Sequence, residues 1–230
     1  MSRSIEQLVN QQVLRWLEQQ RAVDRPAHEP TRQTQGPMIC VSRQFGALGG
    51  EMGRRVAERL GFGFFAQELV HEIAKEAHVR QHVVESLDER LQDRVEQWVG
   101  EMMEGGMFAP SDYLRNLSKV VLTLGRHGRA VIIGRGAHLI LAPTRTLRVR
   151  CYGAQEGRVR YISERDHMSL LEARAKVLRV DAERIAFYRQ HFNVDVASPE
   201  HYDLMLNTST FDLEASTDLV IRAYRARFEA

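Results

Sequence analysis

Apolar residues along this chain follow two rhythms, short runs and longer stretches with helical spacing, and the two alternate. The short apolar runs lie at residues 38–42, 130–134, 147–152 and 202–207. Runs of that length read as strands. Between the first and second lies a mainly helical stretch, residues 67–127, with one break around Gly105-Gly106-Met107-Phe108-Ala109-Pro110. Residues 154–192 read as helices dense in arginine. A last helix is predicted over 212–228, with Leu213, Val220, Tyr224 and Phe228 facing inward. Strands alternating with helices predict an α/β protein, a parallel sheet flanked by helices.

An extra element precedes this pattern. Residues 4–21 place Ile5, Leu8, Val9, Val13, Trp16 and Leu17 at helical spacing, an amphipathic helix. Residues 22–36, with Pro26 and Pro30 and no apolar period, read as a linker. A short helix is not stable alone in water, so its apolar face needs a surface. It either packs back onto the same chain or joins two copies in a homodimer. The predicted organisation is therefore residues 1–36, helix and linker, and residues 37–230, the α/β domain.

The chain has 230 residues, 43% of them hydrophobic, enough for a full core. Its formal charge of +2 gives no electrostatic reason for a nucleic-acid or membrane partner. Lysine occurs only at Lys75, Lys119 and Lys176, so 29 of the 32 basic residues (32 less three) are arginine. Arginine forks onto phosphate oxygens in a way lysine cannot, although a GC-rich genome gives the same bias. Cys40 and Cys151 sit in separate apolar runs without ligand-spaced partners, so both read as buried thiols in a reducing compartment. The first residues lack an apolar signal core, and no window approaches the roughly twenty apolar residues of a membrane span. The expectation is a soluble, cytoplasmic protein.

The most informative stretch is Met38-Ile-Cys-Val-Ser-Arg-Gln-Phe-Gly-Ala-Leu-Gly-Gly-Glu-Met-Gly53, a strand running into a glycine-rich turn and a helix. The first amides of a helix lack intrahelical partners and sit at its positive end, and glycines let a ligand approach the backbone. Ser42, Gly46, Gly49 and Gly50 would form the turn, with amides up to Gly53 aimed at phosphate. A plain strand-to-helix turn gives the same pattern. The common nucleotide-binding loop closes with Gly-Lys-Ser/Thr, and here those positions read Gly49-Gly50-Glu51. Gly134-Arg135-Gly136 directly follows the strand 130–133, which puts Arg135 at the carboxyl end of a parallel strand, where open α/β sheets bind ligands. A third cluster is Arg179-Val-Asp181-Ala-Glu-Arg184, with Arg189 after it and Arg158, Arg160 and Arg165 upstream. It reads as a closing lid for phosphoryl transfer or as a solvated helix face; spacing alone favours the latter.

Taken in order, residues 39–60, Glu68-Leu69-Val70, Val131-Ile-Ile-Gly-Arg-Gly-Ala137, Asp181-Ala-Glu-Arg184 and Tyr202-Asp-Leu-Met-Leu-Asn-Thr-Ser209 resemble the cytidylate kinase-like proteins of bacteria. These are relatives of cytidylate kinase among the P-loop nucleoside monophosphate kinases, and the resemblance spans about residues 38–220. It implies a three-layer P-loop kinase fold with helical acceptor-binding and lid insertions. It implies transfer of the ATP γ-phosphoryl group to a nucleoside monophosphate, CMP or dCMP, with Mg2+. The ATP phosphates would lie on Ser42, Arg43, Gly46, Gly49, Gly50, Glu51 and Met52, with Arg158 on the same side. Arg135, Gln67 and Glu68 would face the acceptor. Arg179 and Arg184 would neutralise the transition state, with Asp181 orienting an arginine or acting near the metal, whose ligands stay unassigned. The turn Asn207-Thr208-Ser209 would be structural or lie on the adenine side. Two departures stand out. The loop lysine is missing, so its charge would come from Arg43, Arg54 or the lid; losing such a charge costs on the order of a hundredfold in rate. Ala66 occupies a position where relatives commonly carry aspartate, leaving Gln67, Glu68 or His71 to replace it. The competing readings are a nucleotide-binding regulatory protein with this fold and no efficient transfer, and a structural module that dimerises through residues 4–21.

Overall fold

The structure, a computed structural model, describes residues 36–75, 77–105 and 111–229. The predicted N-terminal helix, with its back-packing and homodimer alternatives, lies outside the described residues, as do residues 106–110 of the glycine–proline break.

Five strands form one sheet: β1 (Met38–Arg43), β2 (Gly63–Phe65), β3 (Ala130–Ile133), β4 (Thr146–Tyr152) and β5 (Leu204–Asn207). Their order is β2-β3-β1-β4-β5, and every pair is parallel, for example Cys40 opposite Ile132 on one side and Arg148 on the other. Four strands are the four apolar runs. The fifth, β2, is not among the predicted strands, because three residues at a sheet edge are too few to establish a period. β5 starts two residues later than the pattern predicts. A 3-10 turn at Pro199–His201 leads into Tyr202, and Asp203 folds its carboxylate back onto Arg148 at 2.8 Å.

The central strand explains why its sequence does not alternate. Ile39 and Val41 pack on one face against α1 (Gly49–Leu60) and α9 (Leu213–Phe228), through Met52, Val56, Val220 and Tyr224. Met38 and Cys40 pack on the other. There the cover is α2 (Gln67–Lys75), α3 (Ala77–Glu85), α4 (Glu89–Glu104), α5 (Asp112–His127) and the four-residue α6 (Ala137–Ile140). The result is three layers, helices on both faces of a parallel sheet. Each buried aliphatic side chain contributes roughly 1.5–3 kcal/mol, so a polar residue on either face of β1 would be costly.

The arginine-dense stretch forms a helical hairpin, α7 (Gln155–Asp166) and α8 (Leu170–Phe192). Its turn is set by His167 in the left-handed region and by Ser169, which caps α8 in a reciprocal pair with Glu172. The hairpin has a small core of its own, Val159, Ile162, Ala173 and Val177, onto which Phe45 packs. Cys40 and Cys151 are free and buried, as their apolar runs predict. Burial pushes both thiols up, Cys151 to about 12. Among the described residues no helix is long and apolar enough to cross a membrane.

Candidate active site

At the carboxyl ends of β1 and β3 the chain leaves a cleft of about 370 Å³, and a hollow of about 270 Å³ lies beside it over the turn between β1 and α1. The turn needs its glycines for particular reasons. Gly46 has φ +79°, and a β-carbon there would lie 3.0 Å from the Arg158 carbonyl. Leu48 precedes α1 in the left-handed region, and no side chain caps the helix. The opening of α1 at Gly49-Gly50 therefore faces the hollow as the anion-attracting end of a helix. A β-carbon on Gly50 would meet nothing within 4 Å, whereas one on Gly49 would lie 2.8 Å from the Cβ of Arg43. The strand-borne Arg43 thus runs across the place where a side chain at position 49 would begin.

Arg43 donates to Gln67 Oε1 at 2.9 Å, and its guanidinium lies against Gly134, where any side chain would collide with it. Burial lowers its pKa, and nearby Arg135 lowers it further. Arg184, from α8, donates to the Arg43 carbonyl at 3.0 Å, and its pKa is lowered to about 9, first by burial and then by Arg43. Arg54, the other candidate to replace the missing lysine, is 60% exposed and lies 3.9 Å from Glu58. Arg43 lines the hollow over the loop together with Arg165 and Arg184 from the hairpin.

Asp181 accepts from the Phe45 amide at 2.8 Å and from Arg158 Nη1 at 2.5 Å. Arg158 also donates to the Phe45 and Gly153 carbonyls, at 2.9 and 3.0 Å. The arginine that Asp181 orients is Arg158. Arg158 is buried and braces the turn from beneath. Met52 also faces away from the hollow: its side chain is in the core and its amide bonds to Leu48 O at 2.9 Å. Glu51 lines the hollow and accepts from Tyr161 at 2.7 Å. Ser42 is buried under the cleft floor.

Arg135, Gln67 and Glu68 line the cleft together. Arg135 has φ +54° between Gly134 and Gly136, both also left-handed. Its Nε is buried without a hydrogen-bond partner among the described residues, and its guanidinium lies 5.4 Å from the Phe187 ring. Arg179 does not reach the cleft. It is 63% exposed and pairs with Glu183 at 2.7 Å. All three residues sit on one helix at 100° per position, so Asp181 and Arg184, three apart, share a face, whereas Arg179 and Arg184, five apart, do not. Thr208 and Ser209 hold the start of the hairpin, Ser209 Oγ accepting from the Ala154 amide at 2.7 Å.

Arg150 was not singled out from the sequence. It is buried on β4, lines the cleft, and donates to Ser42 Oγ at 2.9 Å. An arginine inside a short apolar run was the available signal. Arg43, Arg135, Arg150 and Arg184 converge on this cleft with no salt bridge to a carboxylate among the described residues. Such an array is suited to hold phosphate groups and to stabilise charge as they move.

The geometry agrees with the chain's relatives. The family model described as the cytidylate kinase-like family matches residues 38–210. A cytidylate kinase of Ignicoccus hospitalis is 30% identical over 122 residues, which cover 53% of this chain and 70% of that protein. A crystal structure of an uncharacterized protein from Eubacterium ventriosum matches with a TM-score of 0.65 at 19% identity, covering 84% of this chain and 99% of that one. The matched span takes in all five strands, the glycine turn and the helical hairpin, and the chain belongs to the cytidylate kinase-like family.

Proposed function

We propose that this protein transfers the γ-phosphoryl group of ATP to a nucleoside monophosphate, CMP or dCMP. Membership of a kinase-like family supports a nucleotide-dependent phosphotransferase. The observation that supports transfer here is the course of Arg43: its Cβ and Cγ pass Gly49 and its guanidinium reaches Gly134 and Gln67, so that it lines both the hollow over the loop and the cleft. In this reading the first amides of α1 hold the ATP phosphates, with Arg43 and Arg184 beside them. Arg135 and Arg150 hold the acceptor's phosphate, and Gln67 and Glu68 lie along its edge of the cleft. An acceptor phosphate oxygen forms a bond to the γ-phosphorus as the β–γ bridge breaks, leaving ADP. Arg184 spreads the charge that develops, and Asp181 keeps α8 in register with the loop through Phe45.

Magnesium fits the donors present. Among the described residues there is no cluster of three or more acidic, histidine or cysteine side chains. Glu51 and Glu68 both line the hollow over the loop. Magnesium in such enzymes uses one or two carboxylates and takes its remaining ligands from phosphates and water. Glu51 and Glu68 would hold the ion, which when bound neutralises phosphate charge.

The test is ADP release from magnesium-ATP against CMP, dCMP, UMP, AMP, GMP and no acceptor, with an Arg135→Ala protein as control. Release stimulated by a cytidine nucleotide and lost in the control is expected. ATP binding without stimulation by any acceptor would refute transfer and favour a regulatory nucleotide binder.

A further inference from the structure

A second concavity lies at the opposite edge of the sheet. Met38 and Thr146, the first residues of β1 and β4, open into a cavity of about 490 Å³. A six-residue strand separates it from the loop by roughly 16–20 Å, so nothing bound there touches the cleft. Its apolar walls are Leu139 and Ile140 of α6, Leu141 directly after it, Leu122 of α5, and Trp98 and Met102 of α4.

Three charged residues interrupt the apolar lining, Arg126, Arg145 and Glu101. Arg126, in the last turn of α5, lies with its guanidinium 4.0 Å from the Trp98 ring centre, and Arg94 approaches the same ring at 5.3 Å. Arg126 Nε and Nη2 are buried with no hydrogen-bond partner among the described residues. Arg145 lines the same cavity. Burial lowers the Arg126 pKa, and the Arg94 and Arg145 charges lower it further. The carboxylate in the lining, Glu101, is exposed and accepts from Gln97 at 2.8 Å. The cavity therefore combines apolar walls with a fork of donors lacking acceptors in a positive local field. A planar carboxylate matches that fork, and an apolar chain matches the walls.

We propose that this cavity is a binding site for a small amphipathic carboxylate, its acid group at the Arg126 guanidinium and its apolar chain between Trp98 and Leu139–Leu141.

The test is fluorescence of anilinonaphthalene sulfonate on the full-length protein, with displacement by decanoate and by the uncharged decanol. Saturable one-to-one binding is expected. Decanoate should displace the probe at concentrations at least tenfold below decanol, and ATP should not displace it. Arg126→Met should erase the advantage of decanoate, and Ala142→Trp, at the exposed rim, should weaken both ligands at least tenfold. The comparison of decanoate with decanol uses the natural chain and stands even if a variant fails to fold. No saturable binding, or equal displacement by acid and alcohol, would overturn the proposal. So would a full-length Leu8→Glu/Val13→Glu protein that binds when the natural chain does not, since the groove would then belong to the chain's own N-terminal residues.

Discussion

Replacing Arg43 by methionine keeps an unbranched apolar stem and removes the guanidinium and its charge, so function and stability should respond differently. On the functional side the substitution deletes one preorganised cation from the loop. Losing a single such group costs about 2.7–4 kcal/mol in the barrier, on the order of a 10²–10³-fold drop in turnover. On the structural side it removes the 2.9 Å hydrogen bond to Gln67, which costs about 1–2 kcal/mol. It also removes a buried cation that Arg135 and Arg184 repel and Glu68 only partly compensates, which offsets much of that loss. The net change in stability should stay within about 1 kcal/mol, a melting shift of roughly 2–4 °C for a chain of this size. Arg43→Lys should recover part of the rate, as a point charge without the fork. Arg54→Met, at an exposed side chain, should change turnover less than about twofold. The assay is ADP release at saturating acceptor, with ATP affinity from calorimetry and melting followed in parallel. Turnover of Arg43→Met within about tenfold of the natural protein would refute the assignment of the lysine's role to Arg43.

Arg184→Ala should lower turnover far more than ATP affinity, because its contact with the migrating group forms mainly in the transition state. Arg179→Ala should leave both within about twofold, since its pair with Glu183 is solvent-exposed; a large effect there would reverse their ranking. His138 is 3% exposed and burial lowers its pKa from 6.5 to about 3, so between those pH values the unfolded chain binds more protons than the folded one. Stability should therefore fall as the pH drops through that window, by at most about 1.4 kcal/mol per unit from this group, and His138→Phe should flatten the slope in urea titrations. Gly136→Ala combines φ +69° with a β-carbon driven into the Phe192 ring, and should cost about 2–4 kcal/mol in a denaturant titration. Gly157→Ala, in open space on α7, should be neutral or stabilising by up to about 1 kcal/mol.

The strands were legible as short apolar runs between helical stretches, and residues 38–42, packed on both faces, show this most directly. β2 was not, since Gly63–Phe65 is too short for any period. The glycine turn and Gly134-Arg135-Gly136 were legible as local geometry. Long-range pairing was not: Asp181 meets Arg158 only after the hairpin folds back over 23 residues, and it meets the Phe45 amide across 136. Arg148 and Arg150 show the limit of pattern reading most clearly. They are the same residue type on the same strand face, yet one is tied to Asp203 and the other is buried beneath the cleft. Arg179 and Arg184 look alike as neighbours in sequence, and the helix sends them to different sides.

The arginines divide by partner, and the division has a measurable consequence. Those bracing the scaffold have carboxylates: Arg158 with Asp181, Arg148 with Asp203, Arg165 with Asp166. The four at the cleft, Arg43, Arg135, Arg150 and Arg184, have none among the described residues, and burial and mutual repulsion lower the pKa of Arg43 and Arg184. A folded state that gathers four guanidiniums against three carboxylates, Glu68, Asp181 and Glu183, with none of the four in a salt bridge among the described residues, carries a cost that a bound polyanion removes. Pyrophosphate, which has the charge of a nucleotide tail and neither base nor ribose, should stabilise the protein. At a hundred times its Kd the gain is about 2.7 kcal/mol, a rise of roughly 5–10 °C in melting temperature. Sulfate at equal ionic strength should do much less, which separates a built site from general screening. Arg43→Met and Arg184→Ala should each reduce the shift, and Arg179→Ala should leave it intact. Equal stabilisation by sulfate and pyrophosphate, or a shift unchanged in the cleft variants, would mean that the unpaired arginines are not a phosphate site.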